Sequence, residues 1–445
     1  MIELMFFSIV LTVLLGLVAK LVLDRINKAD YLITWREFML VVGVCCFVIT
    51  PLVTFVGWEL AKRSKVSYNE YQNGWENATR IDETICHKNG ACRYTYSCDP
   101  HLVPYSCNCK KDGGCDTCWR TEYDSCPYCT HEYDYVVITT LGSYTIDSHR
   151  FPVNPQEHRW REHETIPDSE IQRAGVGEPP FWTAVNNRIK AERPGWVTKV
   201  GVYRNLIYAS ESNILKQYSS AIQRYMALGL LPQLSTGVRS FYLTDKVYFV
   251  GVTIPDKDVW NDRLGYLDAA IGRELQGDLH LILADAAKIT NPDEFVLAVK
   301  AFWTDALLYG RNVLSKNAIV IVLGTDGKTV LWAKGFTGMP VGNDAMITAL
   351  ASLKGQELTA DKIIGKVERV KKGPGEYTLH SSGSLESIIF GFGDKATKFK
   401  RVHMESFGYL MNEIEPNTTD KIICLIINIL LGCIGWAVVI FGDIL

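Results

Sequence analysis

The sequence lacks a strong charge of either sign: 46 basic and 49 acidic side chains among 445 residues leave a net charge of −3. That balance excludes a polybasic nucleic-acid binder and an acidic tail, so no nucleic-acid partner is expected; 47% hydrophobic residues exclude a disordered chain. The signatures of common catalytic designs are also missing. There is no GxSxG, HExxH, P-loop or paired-glycine dinucleotide fingerprint, and the nearest glycine cluster, Gly391-Phe-Gly393, is too short to cradle a phosphate. Before the first apolar run there is no basic residue, and no small-x-small cleavage site follows it. This favours a retained helix over a removed signal peptide.

What is present in quantity is uncharged apolar sequence at both ends. Leu4 to Leu23 carries one charge, Lys20, near enough to the end to reach the headgroups. Phe38 to Leu60 contains Pro51, which a bilayer helix tolerates when neighbours satisfy the freed carbonyl. Ile422 to Phe441 has no charge at all. None of the three has a polar face, so transmembrane helices over 4–23, 38–60 and 422–441 are expected, with the lipid bilayer as a partner. Flanking charges do not orient them. Lys20, Arg25, Lys28 and Arg36 around the short loop balance Lys62, Arg63, Lys65 and Lys421 beside the long segment, four against four.

The cysteines separate the alternatives. Four of the 13, Cys45, Cys46, Cys424 and Cys433, fall in the apolar runs; the other nine, Cys86, Cys92, Cys98, Cys107, Cys109, Cys115, Cys118, Cys126 and Cys129, fall within 44 residues. Aliphatic residues are scarce there, so covalent or metallic cross-links must replace a core in a module over 82–132. One reading is a disulfide-stapled unit outside the cytoplasm. The other is zinc held by the Cys115-x-x-Cys118 and Cys126-x-x-Cys129 thiolates, with His131 or Cys107-x-Cys109 as substitute ligands. Cysteine density favours the first and places the long segment on the extracytoplasmic face of an inner or plasma membrane. Asn77-Ala-Thr and Asn417-Thr-Thr match the glycosylation acceptor pattern on that same side.

Beyond the cysteines, over 133–240, Tyr133 to Ile146 alternates like a strand pair, and Phe151 to Pro180 reads as a proline-rich linker. His158, Glu162, His163 and Glu164 within it are read as a solvated charge run. Ser212 to Leu230 has a helical apolar stripe suited to packing on a sheet. From Val247 the pattern runs strand, helix (Val259 to Leu275), strand (Leu279 to Ala284), helix (Pro292 to Tyr309), strand (Ala318 to Leu323). A turn at Gly324 to Gly327 returns as Thr329 to Lys334. The spacing predicts an α/β layer with a mixed sheet, parallel strands closed by one antiparallel hairpin, over 241–355; residues 356–420 form an extension.

About residues 245–353, with LHLILA, Phe302-Trp303, Leu308-Tyr-Gly310-Arg311, Lys316-Asn317-Ala318 and the hairpin TVLWAKGFTG, the chain resembles the TPM domain. That family includes thylakoid-lumen acid phosphatase-like proteins. The resemblance implies a layered α/β domain held outside the cytoplasm beside a membrane anchor. In such layers ligands gather beyond the carboxyl ends of parallel strands, which points to Asp256, Asp258, Asp285 and Asp326. Asp305, Arg311 and Asn317 enter the strand that follows. Asp258, Asp285, Asp305, Arg311 and Asn317 are thus candidates for holding Ca2+ or Mg2+ with a phosphate; the competing role for each aspartate is a turn or helix cap. Two functions follow. One is a membrane protein presenting its α/β domain as a protein-binding or assembly module, with Trp75, Trp119 and Trp160 as contact residues; the other is a divalent-ion-dependent, phosphatase-like hydrolase.

Overall fold

The computed structural model describes residues 1–26, 34–84, 93–109, 115–129, 132–146, 179–210, 218–239, 241–243, 246–339, 341–373 and 376–441. Cys86, Cys92, His131, Trp160 and the charge run from His158 to Glu164 lie outside them. Three helices, Ile2–Ile26, Trp35–Lys65 and Thr418–Phe441, are long and apolar enough to cross a membrane. Each expected apolar run lies inside one of them. Between such helices lipid supplies no hydrophobic drive, so contact depends on small residues and interhelical hydrogen bonds. A Cβ on Gly16 would lie 2.0 Å from the Trp436 ring, and one on Gly432 would lie 2.9 Å from Thr12. Asn428 Nδ2 donates to Thr54 Oγ1 at 3.0 Å. The second span slips into a π-helical turn over Cys45–Ile49, just before Pro51. The wider turn makes room for the proline ring against the preceding carbonyls.

The second span passes through Val66 straight into a long strand, β1 (Ser67–Thr84). After it come β2 (Arg93–Cys107) and β3 (Asp116–Cys129), then β4 (Glu132–Thr139), β5 (Gly142–Ile146) and β6 (Trp196–Arg204). One antiparallel sheet has the order β5-β4-β1-β6. The first half of β1 pairs with β6 and the second with β4, and the exchange falls at a bulge between Glu76 and Ala78. The expected strand pair after the cysteines is β4 and β5, although β1 and β6 bind it into a sheet with residues on both sides of the Cys-rich module. Helix α1 (Pro180–Lys190) places Trp182 and Val185 against Tyr135 and Val137.

β2 and β3 pair only with each other. At about 3.4 Å per residue they form a ribbon roughly 45 Å long, inserted between β1 and β4. An isolated pair of strands is marginal in water. Disulfides Cys107–Cys118 and Cys109–Cys115 staple its tip. Cys115 and Cys118 are therefore not available as zinc thiolates, and the four-cysteine metal alternative loses half its ligands. Cys98, Cys126 and Cys129 lie on the ribbon strands.

After helix α2 (Ser219–Ala227) and the short pair β7 (Val238–Arg239) and β8 (Tyr242–Leu243) comes the α/β layer. It comprises β9 (Val247–Val250), helix α3 (Lys257–Leu275), β10 (Asp278–Asp285), helices α4 (Pro292–Trp303) and α5 (Ala306–Tyr309), β11 (Ala318–Thr325) and β12 (Val330–Thr337). The order is β12-β11-β10-β9, parallel from β9 to β11 and antiparallel at β12. Period-two alternation sorts the side chains: Leu279, Leu281, Leu283, Ile319, Ile321 and Leu323 face α3, whereas Ile282, Val320 and Val322 face α4. Both faces are buried, which is why β10 and β11 read as unbroken apolar runs. The expected helix from Pro292 to Tyr309 is in fact two, because the chain breaks at Thr304 and Asp305 caps α5. In the C-terminal extension a hairpin, β13 (Gly365–Gly373) and β14 (Glu376–Ser382), precedes a short helix, Ser384–Phe390. Leu385 and Ile389 of that helix join the core on the α3 side.

Helix α3 also joins the two sheets. A Cβ on Gly272 would lie 2.4 Å from the Asn73 carbonyl oxygen and one on Gly265 would meet the Trp196 ring at 2.4 Å, so the helix approaches the β1–β6 sheet at backbone distance.

Candidate functional site

The sheet has a membrane end and a far end. Asn205 N donates to Val66 O at 2.8 Å, and Lys316 Nζ reaches Arg204 O at 3.4 Å, so the amino ends of β10 and β11 face the spans. Asp285, at the carboxyl end of β10, and Asn317, just before β11, are therefore separated by the strand length, roughly 23 Å.

This division separates the expected site residues. At the far end, Asp285 Oδ1 accepts from Ala287 N at 3.0 Å and pairs with Lys288, and Asp326 accepts from Lys328 N and Thr329 N, both at 2.8 Å. Asp256 precedes α3 in the left-handed region and Asp258 lies in its exposed first turn. At the membrane end Asp305 accepts from Leu307 N at 2.8 Å, Arg311 is exposed, and Asn317 is buried with its Nδ2 3.4 Å from Glu70 Oε2. Asp258, Asp285 and Asp305 thus do not meet in one concave site; Asp285 and Asp305 cap turns. Among the described residues no three His, Cys, Asp or Glu side chains gather where a metal ion could be held.

The densest chemistry lies at residues that sequence reasoning passed over. Lys246 is enclosed by Asp268, by Asp278 Oδ1 at 2.7 Å and by Asn73 Oδ1 at 3.0 Å. Asp278 Oδ2 lies 3.2 Å from His280 Nε2, and His280 Nδ1 lies 3.1 Å from the Tyr248 hydroxyl. Thr198 donates to Asn73 at 2.7 Å, tying the network to β6. Burial pushes the Asp268 carboxyl up to about 6, with the Asp278 charge adding and Lys246 opposing. Burial would also raise Asp278, but Lys246 and His280 outweigh it and hold that carboxyl below the usual range. All these groups are buried, so the network fastens α3, β1 and β10 together. The available signal was polarity inside apolar runs: Asp278-Leu-His280 opens a strand buried on both faces, and Asp268 sits beside Leu267 on α3.

Two further pairs are built on the buried carboxylates Glu76 and Glu70. Arg188 donates to both Glu76 oxygens, at 3.1 and 2.6 Å, while Gly195 N and the Tyr242 hydroxyl add donors. The carboxylate thereby stabilises the β1 bulge. Lys316 Nζ lies 2.9 Å from Glu70 Oε1. Neither pair opens toward a substrate-sized space.

Exposed chemistry is concentrated on the ribbon. Cross-strand partners share a face, so Pro100, Leu102 and Pro104 of β2 lie on the same side as Trp119, Thr121 and Tyr123 of β3. Leu102 is 63% exposed, and Trp119 and Tyr123 are each 60% exposed. On the other side are the Arg120–Glu122 ion pair, His101 3.8 Å from Asp124, and Arg120 over the Tyr105 ring. One face is apolar and unpaired, the other charged.

A cleft of about 730 Å³ opens where the body meets the spans. It is lined by Ser64 and Lys65 from the second span, Asn417 and Asp420 at the start of the third, and Asp305, Leu307 and Arg311 from the body. A smaller, polar cleft of about 290 Å³ is bordered by Asn77, Trp75 and Tyr377. Both acceptor asparagines, Asn77 and Asn417, are exposed. Compared with known proteins, the chain matches no family model, no curated protein and no solved structure.

Proposed function

We propose that the protein is a membrane-anchored binding and assembly module whose body, a TPM-like α/β domain with its disulfide-stapled ribbon, stands on the extracytoplasmic side and engages a protein partner. The observation that carries this reading is the one-sided ribbon face of Leu102, Trp119 and Tyr123, left open to solvent. Buried aromatic anchors dominate protein interfaces, and a two-stranded arm stapled at its tip presents them side by side. The TPM-like reading is supported by three parallel strands closed by an antiparallel fourth, in the strand and helix order that the resemblance implies. Two disulfides support an oxidising compartment. Among the described residues the densest charged network, around Lys246, is buried, and Asp285 and Asp305 cap turns, which supports binding over catalysis.

The test is the native size of the full chain extracted gently from its own membrane. Trp119→Ala is expected to reduce the size of the complex, whereas Arg120→Ala, on the opposite face, leaves it unchanged. A complex unaffected by Trp119→Ala and Tyr123→Ala together would refute the role given to this face.

A further inference from the structure

The underside of the body carries an apolar pair that neither the buried core nor the ribbon accounts for. In α5, Leu307 is 96% exposed and Leu308 is 58% exposed, whereas the next residue, Tyr309, is partly buried and packs against Phe302. Single exposed leucines are ordinary; two adjacent ones on one rigid turn are less so. Rigidity comes from both ends. Asp305 caps the turn through Leu307 N at 2.8 Å, and the Tyr309 hydroxyl is 3.0 Å from Gln233. Behind it Gly310 takes φ 58 and ψ −121, a conformation open to glycine alone, so the leucines cannot fold back into the core.

Their height is set by what shares their cleft. Leu307 and Arg311 line it together with Lys65, at the end of the second span, and Asp420, in the first turn of the third. At this level the spans carry interfacial markers, with Lys421 Nζ 5.5 Å from the Trp58 ring; in the body, Tyr409 of the short segment Met404–Asn412 is 65% exposed. From Trp35 to Trp58 the second span rises roughly 35 Å, enough to cross a hydrocarbon core of about 30 Å and put the second indole at the headgroups. The acids in the cleft are engaged, Asp305 as above and Asp420 by Asn417 N at 3.3 Å. Among the described residues nothing pairs with Arg311.

We infer that Leu307 and Leu308 enter the headgroup–acyl boundary of the bilayer and that Arg311 meets lipid phosphate beside them, making the underside of the body a second membrane contact. A guanidinium forks onto phosphate oxygens, and leucines one turn away bury their side chains among the upper acyl carbons. The inference rests on the membrane reading of the three spans.

The experiment uses the full chain in vesicles of phosphatidylcholine and phosphatidylglycerol, with a photoreactive benzophenone residue in turn at 307, at 308, at 47 and at 331. Phe47 is 81% exposed on the second span and reports the spans themselves; Leu331, 42% exposed, lies at the far end of the sheet. Irradiation is expected to yield phospholipid adducts at 47, 307 and 308 and none at 331. Arg311→Glu should lower the yield at 307 several-fold while leaving 47 unchanged, and Arg311→Lys should restore most of it. Adducts at 47 without any at 307 or 308 would overturn the inference and leave the spans in lipid; absence at 47 as well would remove both. Adducts at 307 that ignore Arg311→Glu would overturn the phosphate contact.

Discussion

At the residue scale the decisive side chains are charged and buried. Lys246 is held by two carboxylates and an amide oxygen at under 10% exposure. Its replacement by Met leaves Asp268 and Asp278 facing each other without a cation, so Lys246→Met is expected to cost about 3–5 kcal/mol in chemical unfolding. The two acids also give stability a defined pH dependence. Asp278 is held below its ordinary value of 3.8, so the unfolded chain takes the proton first and stability falls as the pH drops below about 4. Asp268 is raised from 3.8 to about 6; between those values the folded protein holds the proton, and stability rises as the pH falls through that window. Glu70, raised by burial despite Lys316, acts in the same sense as Asp268. The stability advantage of wild type over Asp268→Asn, measured by urea unfolding, should therefore be larger at pH 4 than at pH 7; an equal difference at both would contradict the assignment. These residues were hard to see in the sequence because an isolated Lys or Asp there looks like a solvated surface group, and only their partners, far along the chain, make them core.

Elements divide by how local their causes are. The strands and helices from Val247 to Lys334 were legible, since β10 and β11 are apolar on both faces and α3 and α4 carry clear stripes. β1 was not. Its sequence, SYNEYQNGWENATRIDET, shows no period-two apolar alternation, and as a strand it brings Glu70, Asn73 and Glu76 to Lys316, Lys246 and Arg188 from elsewhere. The ribbon stands between these cases: its cross-links were expected, while its extended shape depended on pairing that spacing does not encode. Lacking a core, it depends on its staples. Opening the Cys107–Cys118 bond frees a loop closure worth about 3 kcal/mol on the chain-entropy estimate. Cys107→Ser with Cys118→Ser should make the ribbon sensitive to limited proteolysis while the thermal transition of the rest stays in place. A cut spreading into the β1–β6 sheet would show that the ribbon is not an independent element.

For the whole molecule, composition foresaw three helices long and apolar enough to cross a membrane, since runs of about twenty nearly uncharged apolar residues have no polar face to turn to water. The expected site failed at this scale for a geometric reason: chain order places Asp258, Asp285 and Asp305 near one another, but the sheet runs away from the membrane, so the first two stand at its far end and the last at its base. The body is also anchored twice. Lys62 and Lys65 of the second span donate to the Met411 and Glu415 carbonyls, at 3.4 and 2.7 Å, so the chain leaves the body close to where it entered. A single stalk would let the body swivel; two stalks side by side act as a keel. The body then holds one compass bearing relative to the bundle instead of sweeping a circle about it.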